Sequence, residues 1–153
     1  MPTTKLLLWS SAERKSEADI KQIAAKVEAD FGIRLLSKDE EIANPSEAKR
    51  AIVDAVGKIR EVTRKNENLQ QYNRKYGFCR NYLGACVYAI GVIIFALVVN
   101  FILEMTYTKV LMVALVAQVL FGIIDYVSYK SKAYDYARAM YNAYITGAEY
   151  ERE

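Results

Sequence analysis

Histidine is absent from the 153 residues, and cysteine and proline occur twice each. The absence of histidine removes the commonest metal ligand and the commonest general base. Cys79 and Cys86 lie seven residues apart, which fits neither a zinc site nor a disulfide framework. We expect both cysteines to pack as small apolar side chains on one helix face. Because the sequence also lacks a glycine-rich phosphate loop and a nucleophile elbow, we expect no catalytic residue, no metal site and no cofactor.

Charge is missing from one long stretch of the chain. Residues 81–103, NYLGACVYAIGVIIFALVVNFIL, contain no Asp, Glu, Lys or Arg. As a helix this run would be about 34 Å long, which is enough to cross a hydrocarbon core of roughly 30 Å. A second apolar run, residues 110–129, has Gln118 near its middle and Asp125 closer to its end. The other residues are too few to cover two such helices in a soluble fold, so the sequence predicts transmembrane spans at 82–103 and 110–129.

Basic residues flank the two spans on one side. The connecting segment EMTYT contains only Glu104, with Lys109 just after it. Positive charge is retained on the cytoplasmic side of membranes, so we expect both termini in the cytoplasm. A connection of about five residues makes the spans antiparallel neighbours. The basic residues that precede the first span and follow the second are Lys58, Arg60, Arg64, Lys65, Arg74, Lys75, Arg80, Lys130, Lys132 and Arg138.

The predicted fold class is an all-α membrane protein, with a transmembrane helical hairpin at 82–129 and long cytosolic helical extensions. Residues 1–45 are predicted to form a small cytosolic module, either α/β or helical, in which TKLLLWS and IRLL resemble short strands around a helix at 13–31. Residues 46–81 read as one long helix that begins after Asn44-Pro45, with Gly77 as the place for a bend. Residues 130–153 form a closing helix whose Ala and Tyr stripe should pack on the long helix.

Gln118, Asp125 and Lys132 are spaced by seven residues and so share one face of the second helix. Ionisable groups in membranes usually face a bundle interior or a water-filled path, and a lone two-helix hairpin has no interior. We therefore expect a homo-oligomer, a tetramer being one option, in which polar rings surround a hydrated axis. The pore-lining candidates are Asn100, Glu104, Gln118 and Asp125. The alternative is that Gln118 bonds a neighbouring helix and Asp125 pairs with Lys130 or Lys132.

The N-terminal module carries several basic side chains that could meet a phosphate group. They alternate with acidic residues, so a solvated surface is the competing interpretation. These ligand-binding candidates are Lys5, Arg14, Lys15, Lys21, Lys26 and Arg34.

The layout from about residue 55 to 150 resembles the SLATT family of two-helix membrane effectors. The likeness consists of a long charged helix leading into a span, a very short loop, a second span and a closing helix. In that helix YDYARAMYNAY and Glu149 carry most of it. The family occurs beside nucleotide-signalling and nucleotidyltransferase genes in bacterial antiviral systems. The resemblance implies a regulated pore in the bacterial inner membrane that depolarises the host on infection.

The expected function is therefore that of an antiphage membrane effector and not of an enzyme. The resemblance leaves open what the N-terminal module senses. We expect it to sense a nucleotide or oligonucleotide made by a partner nucleotidyltransferase, with a partner protein as the second option. Two other classes stay open. The hairpin could be a structural anchor or adaptor for a cytosolic scaffold, or the chain could be an accessory subunit of a larger transporter complex.

Overall fold

The computed structural model describes the backbone of residues 1–104 and 106–150, and side chains as far as residue 147. Helices contain 84% of the described residues, and no strand occurs among them, which confirms the all-α class. Met105 of the connecting segment and residues 151–153 of the closing helix lie outside the described residues. The helices are α1 (Pro2–Leu7), α2 (Glu17–Phe31), α3 (Lys38–Ala43), α4 (Pro45–Thr63), α5 (Glu67–Ile102) and α6 (Thr108–Tyr150).

The two strands predicted in the first 45 residues are wrong. Pro2 occupies the first turn of α1, where its missing N–H costs nothing, and α1 packs on α4 with Leu6 and Leu7 buried. IRLL, residues 33–36, has no neighbouring strand to form a ladder with. Instead the Leu36 carbonyl accepts a hydrogen bond from Trp9 Nε1 at 3.2 Å. The helical form of the N-terminal segment is therefore the one observed.

Side-chain hydrogen bonds cap the N-termini of α2 and α3. Ser16 begins α2 by accepting a hydrogen bond from the Asp19 backbone N–H, and α2 ends at Gly32, whose φ of 65° is left-handed and favours glycine. Ser37 and Glu40 form a capping box at the start of α3. The buried face of α2 consists of Ile20, Ile23 and Val27.

The predicted long helix at 46–81 is interrupted, and not at Gly77. Helix α4 ends at Thr63, and α5 begins at Glu67. Asn66 explains the break, because its Oδ1 accepts a hydrogen bond from the Leu69 backbone N–H at 3.0 Å, the typical geometry of an N-cap. Gly77 lies inside α5 and does not interrupt the helix. The polar segment after Thr63 is thus a helix start and not a helix interior.

The chain divides into two compact units. The first unit comprises Met1–Asn73 together with the segment from Ala133 onward, so the first 45 residues share one core with α4 and the last part of α6. Tyr141 is the largest fully buried side chain of this core. The other buried members of the cluster are Leu6, Leu7, Ile20, Ile23, Val27, Ile52, Ala55, Val56, Ile59, Leu69, Ala137, Met140 and Tyr144.

The second unit, Arg74–Lys132, consists of the apolar parts of α5 and α6. Both helices are long and apolar enough to cross a membrane, and in their most apolar stretches only 11% of the α5 residues and 0% of the α6 residues are buried. A core helix of a soluble protein would be mostly buried, so this exposure favours a membrane protein. Helix α6 continues from this unit into the first without a break, so the second apolar run and the closing helix form one helix.

A buried carboxylate fastens the N-terminal helices to each other. Glu41 of α3 is only 3% exposed, and its two oxygens accept hydrogen bonds from the backbone N–H groups of Trp9 and Ser10, each at 2.9 Å. The charged segment KDEE, residues 38–41, starts α3, and its last residue is buried. Glu41 therefore provides the hydrogen-bond acceptor for two backbone N–H groups that follow the end of α1.

We predict that Glu41→Ala lowers the free energy of unfolding of the first unit by about 2 kcal/mol, because two backbone donors lose their acceptor. Thermal unfolding of the detergent-solubilised chain, followed by circular dichroism, measures the change. Asp54→Ala on the exposed side of α4 is the matched control and should change stability by less than about 0.5 kcal/mol. Equal losses in the two variants would contradict the structural role assigned to Glu41.

Candidate functional site

Within the second unit, α5 and α6 cover each other along a heptad pattern. A set of covered positions on each helix alternates in spacing between three and four residues, which is the pattern of a helix-packing seam. We call this set the polar seam, because four of its members are Cys86, Asn100, Gln118 and Asp125. Its α5 members are Tyr76, Cys79, Leu83, Cys86, Ile90, Ile93, Leu97 and Asn100, and its α6 members are Leu111, Leu115, Gln118, Gly122, Asp125, Tyr129 and Lys132.

Three contacts show that α5 and α6 run antiparallel in this unit. Near the start of the α5 segment, the rings of Tyr76 and Tyr129 stack with centroids 5.5 Å apart. Farther along, Cys86 contacts Asp125. At the other end, Asn100 contacts Thr108. The residue numbers rise on α5 as they fall on α6, so the two helices pair side by side.

Asp125 has a hydrogen-bond partner inside its own chain. Cys86 Sγ donates to Asp125 Oδ2 at 3.2 Å. The spacing of seven between Gln118 and Asp125 does place them on one face, and that face packs against α5. Two helices therefore cover these polar groups better than the sequence pattern predicts, although both side chains remain partly exposed.

Asn100 lies in the last turn of α5, and Glu104 follows in the connection to α6. Asn100 is 4% exposed; its Nδ2 donates to Thr108 Oγ1 at 2.7 Å, and its Oδ1 accepts from the Tyr107 backbone N–H at 3.2 Å. The Asn100 amide thus closes the turn. Glu104 is exposed and has a φ of 51°, a left-handed conformation that is uncommon for residues other than glycine. Among the four pore-lining candidates, these two lie at one end of the unit and Asp125 toward the other.

The six basic ligand-binding candidates all lie in the first unit, and each has a partner there. Five of them form ion pairs with residues four to eight positions away, and where both side chains are exposed such pairs contribute little stability. Arg14 differs, because its Nη1 donates to the Trp9 carbonyl at 2.7 Å. The ion pairs are Lys5 with Glu13 (3.1 Å), Lys15 with Asp19 (3.8 Å), Lys21 with Glu17 (3.0 Å), Lys26 with Asp30 (3.2 Å) and Arg34 with Glu40 (2.6 Å).

Two of the six candidates line one cleft. Lys21 and Arg34 border a space of about 320 Å³ between α2, α3 and α4, which also has Trp9 and Glu28 in its wall. The remaining four do not line it. The structure therefore does not gather the six residues into a single phosphate site.

Three tyrosines of α6 bind the N-terminal segment through their hydroxyl groups. We call Tyr134, Tyr141 and Tyr144 the tyrosine clamp. The Tyr141 hydroxyl donates to the Thr3 carbonyl at 2.7 Å. The Tyr144 hydroxyl donates to Asp30 Oδ2 at 2.8 Å, and the Tyr134 hydroxyl donates to the Glu13 carboxylate. The predicted packing stripe of the closing helix is thus also a hydrogen-bonding face.

Burial changes the acidity of the tyrosine clamp. It raises the pKa of the Tyr141 hydroxyl above the ordinary value near 10, and the charge of Arg60 opposes the shift. Burial also raises the pKa of Tyr144, and the hydrogen bond to Asp30 adds to the increase. A raised pKa in the folded state favours the protonated form. The stability that this provides is complete below pH 10 and is lost as the pH rises through the folded-state pKa.

Sequence reasoning missed the polar role of Cys86 and the donor role of the tyrosines. Cys86 carries a usable signal, because the spacing of seven that links Cys79 and Cys86 also reaches Asn100. A face with two cysteines and an asparagine in an apolar helix indicates polar partners on the helix opposite. The tyrosine acceptors carry no such signal, since they lie more than 100 residues away in sequence.

Comparison with known proteins does not assign the chain to a family. No protein-family model matches it, and no curated protein or solved structure matches it at a significant level.

The contact between Cys86 and Asp125 predicts that a cysteine placed at position 125 can form a disulfide with Cys86 of the same chain. In a Cys79→Ser background, oxidation of an Asp125→Cys variant should join position 125 to Cys86 within one chain, because the side chains there are in contact. Once the disulfide has formed, neither thiol should react with a maleimide reagent, and a non-reducing gel should show no dimer band. Tyr126→Cys is the control, since Tyr126 is 57% exposed, and it should not form this bond. A disulfide-linked dimer from the Asp125→Cys variant would place position 125 between chains.

The tyrosine clamp predicts a stability that falls in alkali. The melting temperature of the solubilised chain should be nearly constant below pH 10 and should fall above it. Tyr141→Phe should cost about 1 kcal/mol at neutral pH through the lost hydrogen bond to Thr3, and its melting temperature should fall less steeply in alkali. Tyr107→Phe in the other unit controls for general effects of high pH. An identical alkaline slope in the wild type and Tyr141→Phe would refute the assignment.

Proposed function

We propose that the protein is a membrane effector of a bacterial antiphage defence system that assembles into a regulated homo-oligomeric ion channel. The observation that carries the proposal concerns the two apolar runs, 82–102 and 110–129: their amide, thiol and carboxylate side chains lie in the seam between the helices, and their exposed side chains are apolar or tyrosine. An ion path needs polar groups on one face of a helix pair and lipid-compatible groups on the others. The likeness to the SLATT layout points to the same class of protein.

The proposed resting state is the one in which Asp125 bonds Cys86. Opening consists of a rotation of α6 that releases this bond and turns Gln118 and Asp125 toward the axis of an assembly of copies. Rotations and small shifts of packed helices are a common form of channel and switch transition. Asn100 and Glu104 would then lie at the outer mouth, where a ring of carboxylates favours cations.

The tyrosine clamp supplies the proposed control. Because α6 is one helix from Thr108 to Tyr150, a change in how the N-terminal helices hold its end changes the rotation of its membrane segment. The hydrogen bonds of Tyr134, Tyr141 and Tyr144 to the N-terminal segment are the contacts that an activating signal would alter. Regulation therefore acts on the first unit and conduction on the second.

The proposed signal is a nucleotide or oligonucleotide from a partner nucleotidyltransferase, with a partner protein as the alternative. Lys21 and Arg34 support a phosphate-bearing ligand, because they border the same cleft and their present partners are exposed carboxylates. Exposed ion pairs are weak, so an incoming phosphate can displace them. The proposed location is the bacterial inner membrane, with both termini in the cytoplasm, since the basic flanks of both spans lie on one side.

A membrane anchor is the second candidate, and one observation favours it. Asn100 and Asp125 both have hydrogen-bond partners within the chain, so the seam is satisfied without sister copies. An anchor predicts that Gln118→Leu and Asp125→Asn leave the function of the protein unchanged. An accessory subunit would instead co-purify with a larger partner.

Single-channel recording in planar bilayers tests the channel proposal. A variant with Tyr134→Phe and Tyr144→Phe, which loosens the clamp, should conduct more often than the wild type and should prefer cations. Adding Asp125→Asn to it should lower the cation-to-anion permeability ratio several-fold, because the carboxylate facing the path is lost. Adding Asp54→Asn, which removes a carboxylate from α4 instead, should leave the ratio unchanged. If the double variant shows no current and expressing cells keep their membrane potential, the anchor is favoured.

A further inference from the structure

Five basic residues gather at one end of the second unit. We call them the basic collar; its members are Arg74, Lys75, Arg80, Lys130 and Lys132. The stacked rings of Tyr76 and Tyr129, whose hydroxyl oxygens lie 3.4 Å apart, hold α5 and α6 side by side at this level. The collar residues lie within four positions of one or other tyrosine. Both helices therefore contribute cations to one zone.

The collar has an excess of positive charge, and the next acidic residue along α6 is Asp135, three positions beyond Lys132. Residues 74–82 contain no acidic side chain, and residues 125–132 contain only Asp125, which accepts a hydrogen bond from Cys86. Arg74 and Arg80 are exposed. The opposite end of the unit has Glu104 and Lys109 as its charged residues, so its charges balance. The asymmetry indicates an anionic partner at the collar.

Exposed aromatic rings mark the same level as a membrane interface. Phe78 and Tyr82 stack on each other with centroids 6.0 Å apart, and they are 70% and 48% exposed. Tyr126 on α6 is 57% exposed. Aromatic side chains with a polar edge are enriched at the headgroup level of bilayers. The collar cations therefore lie where lipid phosphates are found.

An apolar groove adjoins the collar on the membrane side. It has a volume of about 260 Å³ and runs between α5 and α6, with Leu83, Val87, Val119 and Ile123 in its walls. Gly122 also lines it, and a Cβ atom at this position would meet no atom within 4 Å. The wall residues follow Arg80 on α5 and precede Lys130 on α6. A molecule with an anionic head and an apolar tail would thus place its head on the collar and its tail in the groove.

We propose that the basic collar and this groove together bind an anionic phospholipid. The phosphate pairs with the collar cations, and part of one acyl chain fills the groove. Each Lys or Arg near an anionic leaflet contributes about 1 kcal/mol, so three cations change affinity on the order of 100-fold. This lipid site does not depend on whether the protein is a channel or an anchor.

Lipid binding to the full-length chain in detergent, followed by native mass spectrometry, tests this site. The probes are phosphatidylglycerol and phosphatidylcholine with the same acyl chains. The wild type should bind phosphatidylglycerol at least tenfold more tightly. Combined Arg74→Gln, Lys75→Gln and Arg80→Gln changes should remove the preference, whereas Lys49→Gln, Arg50→Gln and Lys58→Gln on α4 should not. Absence of a preference in the wild type, or equal loss in both triple variants, would overturn the proposal.

Gly122→Leu tests the groove without changing charge. It should weaken binding of both lipids several-fold, because the new side chain occupies the acyl position. Gly91→Leu is the matched control, since Gly91 also has open space around it but does not line the groove, and it should bind as the wild type does. Equal effects of the two leucines would refute the acyl position.

Two further measurements keep the test decisive. Should the collar variant aggregate, the phosphatidylglycerol preference of the wild type must still fall as salt rises, because charge pairing at an exposed site is screened. Glycerol phosphate, which has the headgroup but no acyl chain, should not displace phosphatidylglycerol when it is added at the same concentration as the lipid. Competition by it would show that the collar recognises free phosphate and not a lipid.

Discussion

The second apolar helix belongs to both units, and this continuity is the constraint on which the structure depends. Helix α6 runs from Thr108 to Tyr150 without a break. Its first half forms one side of the polar seam, and its second half buries Ala137, Met140 and Tyr141 in the helical core of the first unit. Neither unit is complete without it. A helix satisfies its own backbone hydrogen bonds in water and in lipid alike, so one element can serve in both.

The sequence predicted what hydrophobic periodicity controls. The lengths of the apolar runs, the all-α class and the placement of Gln118 and Asp125 on one face all follow from helical geometry. Prediction from the sequence failed where a single polar side chain determines the local structure. Asn66 ends the predicted long helix by capping α5, and Glu41 fastens the backbone after α1. Such contacts link groups that no periodic pattern connects.

The strands predicted near the N-terminus failed for a related reason. TKLLL has a short apolar run that suits either a buried strand or a buried helix. The choice is made by the available partner, which is the apolar face of α4 and not another strand. Likewise the pattern identified Cys86 as small and apolar, but its donation to Asp125 depends on the register between two helices. Register is set by packing across the whole seam, and a single helix does not encode it.

The first unit is discontinuous in sequence, and this has a consequence for biosynthesis. Thr3 and Tyr141 are in hydrogen-bond contact although 138 residues separate them. A ribosome releases the α1–α4 segment long before it makes Ala137 and Met140, so the apolar faces of α2 and α4 stay uncovered while α5 and the first half of α6 are synthesised. Completion of the core of the first unit therefore follows synthesis of both apolar helices, and nascent chains stalled before residue 133 should occupy chaperones that bind exposed apolar helices.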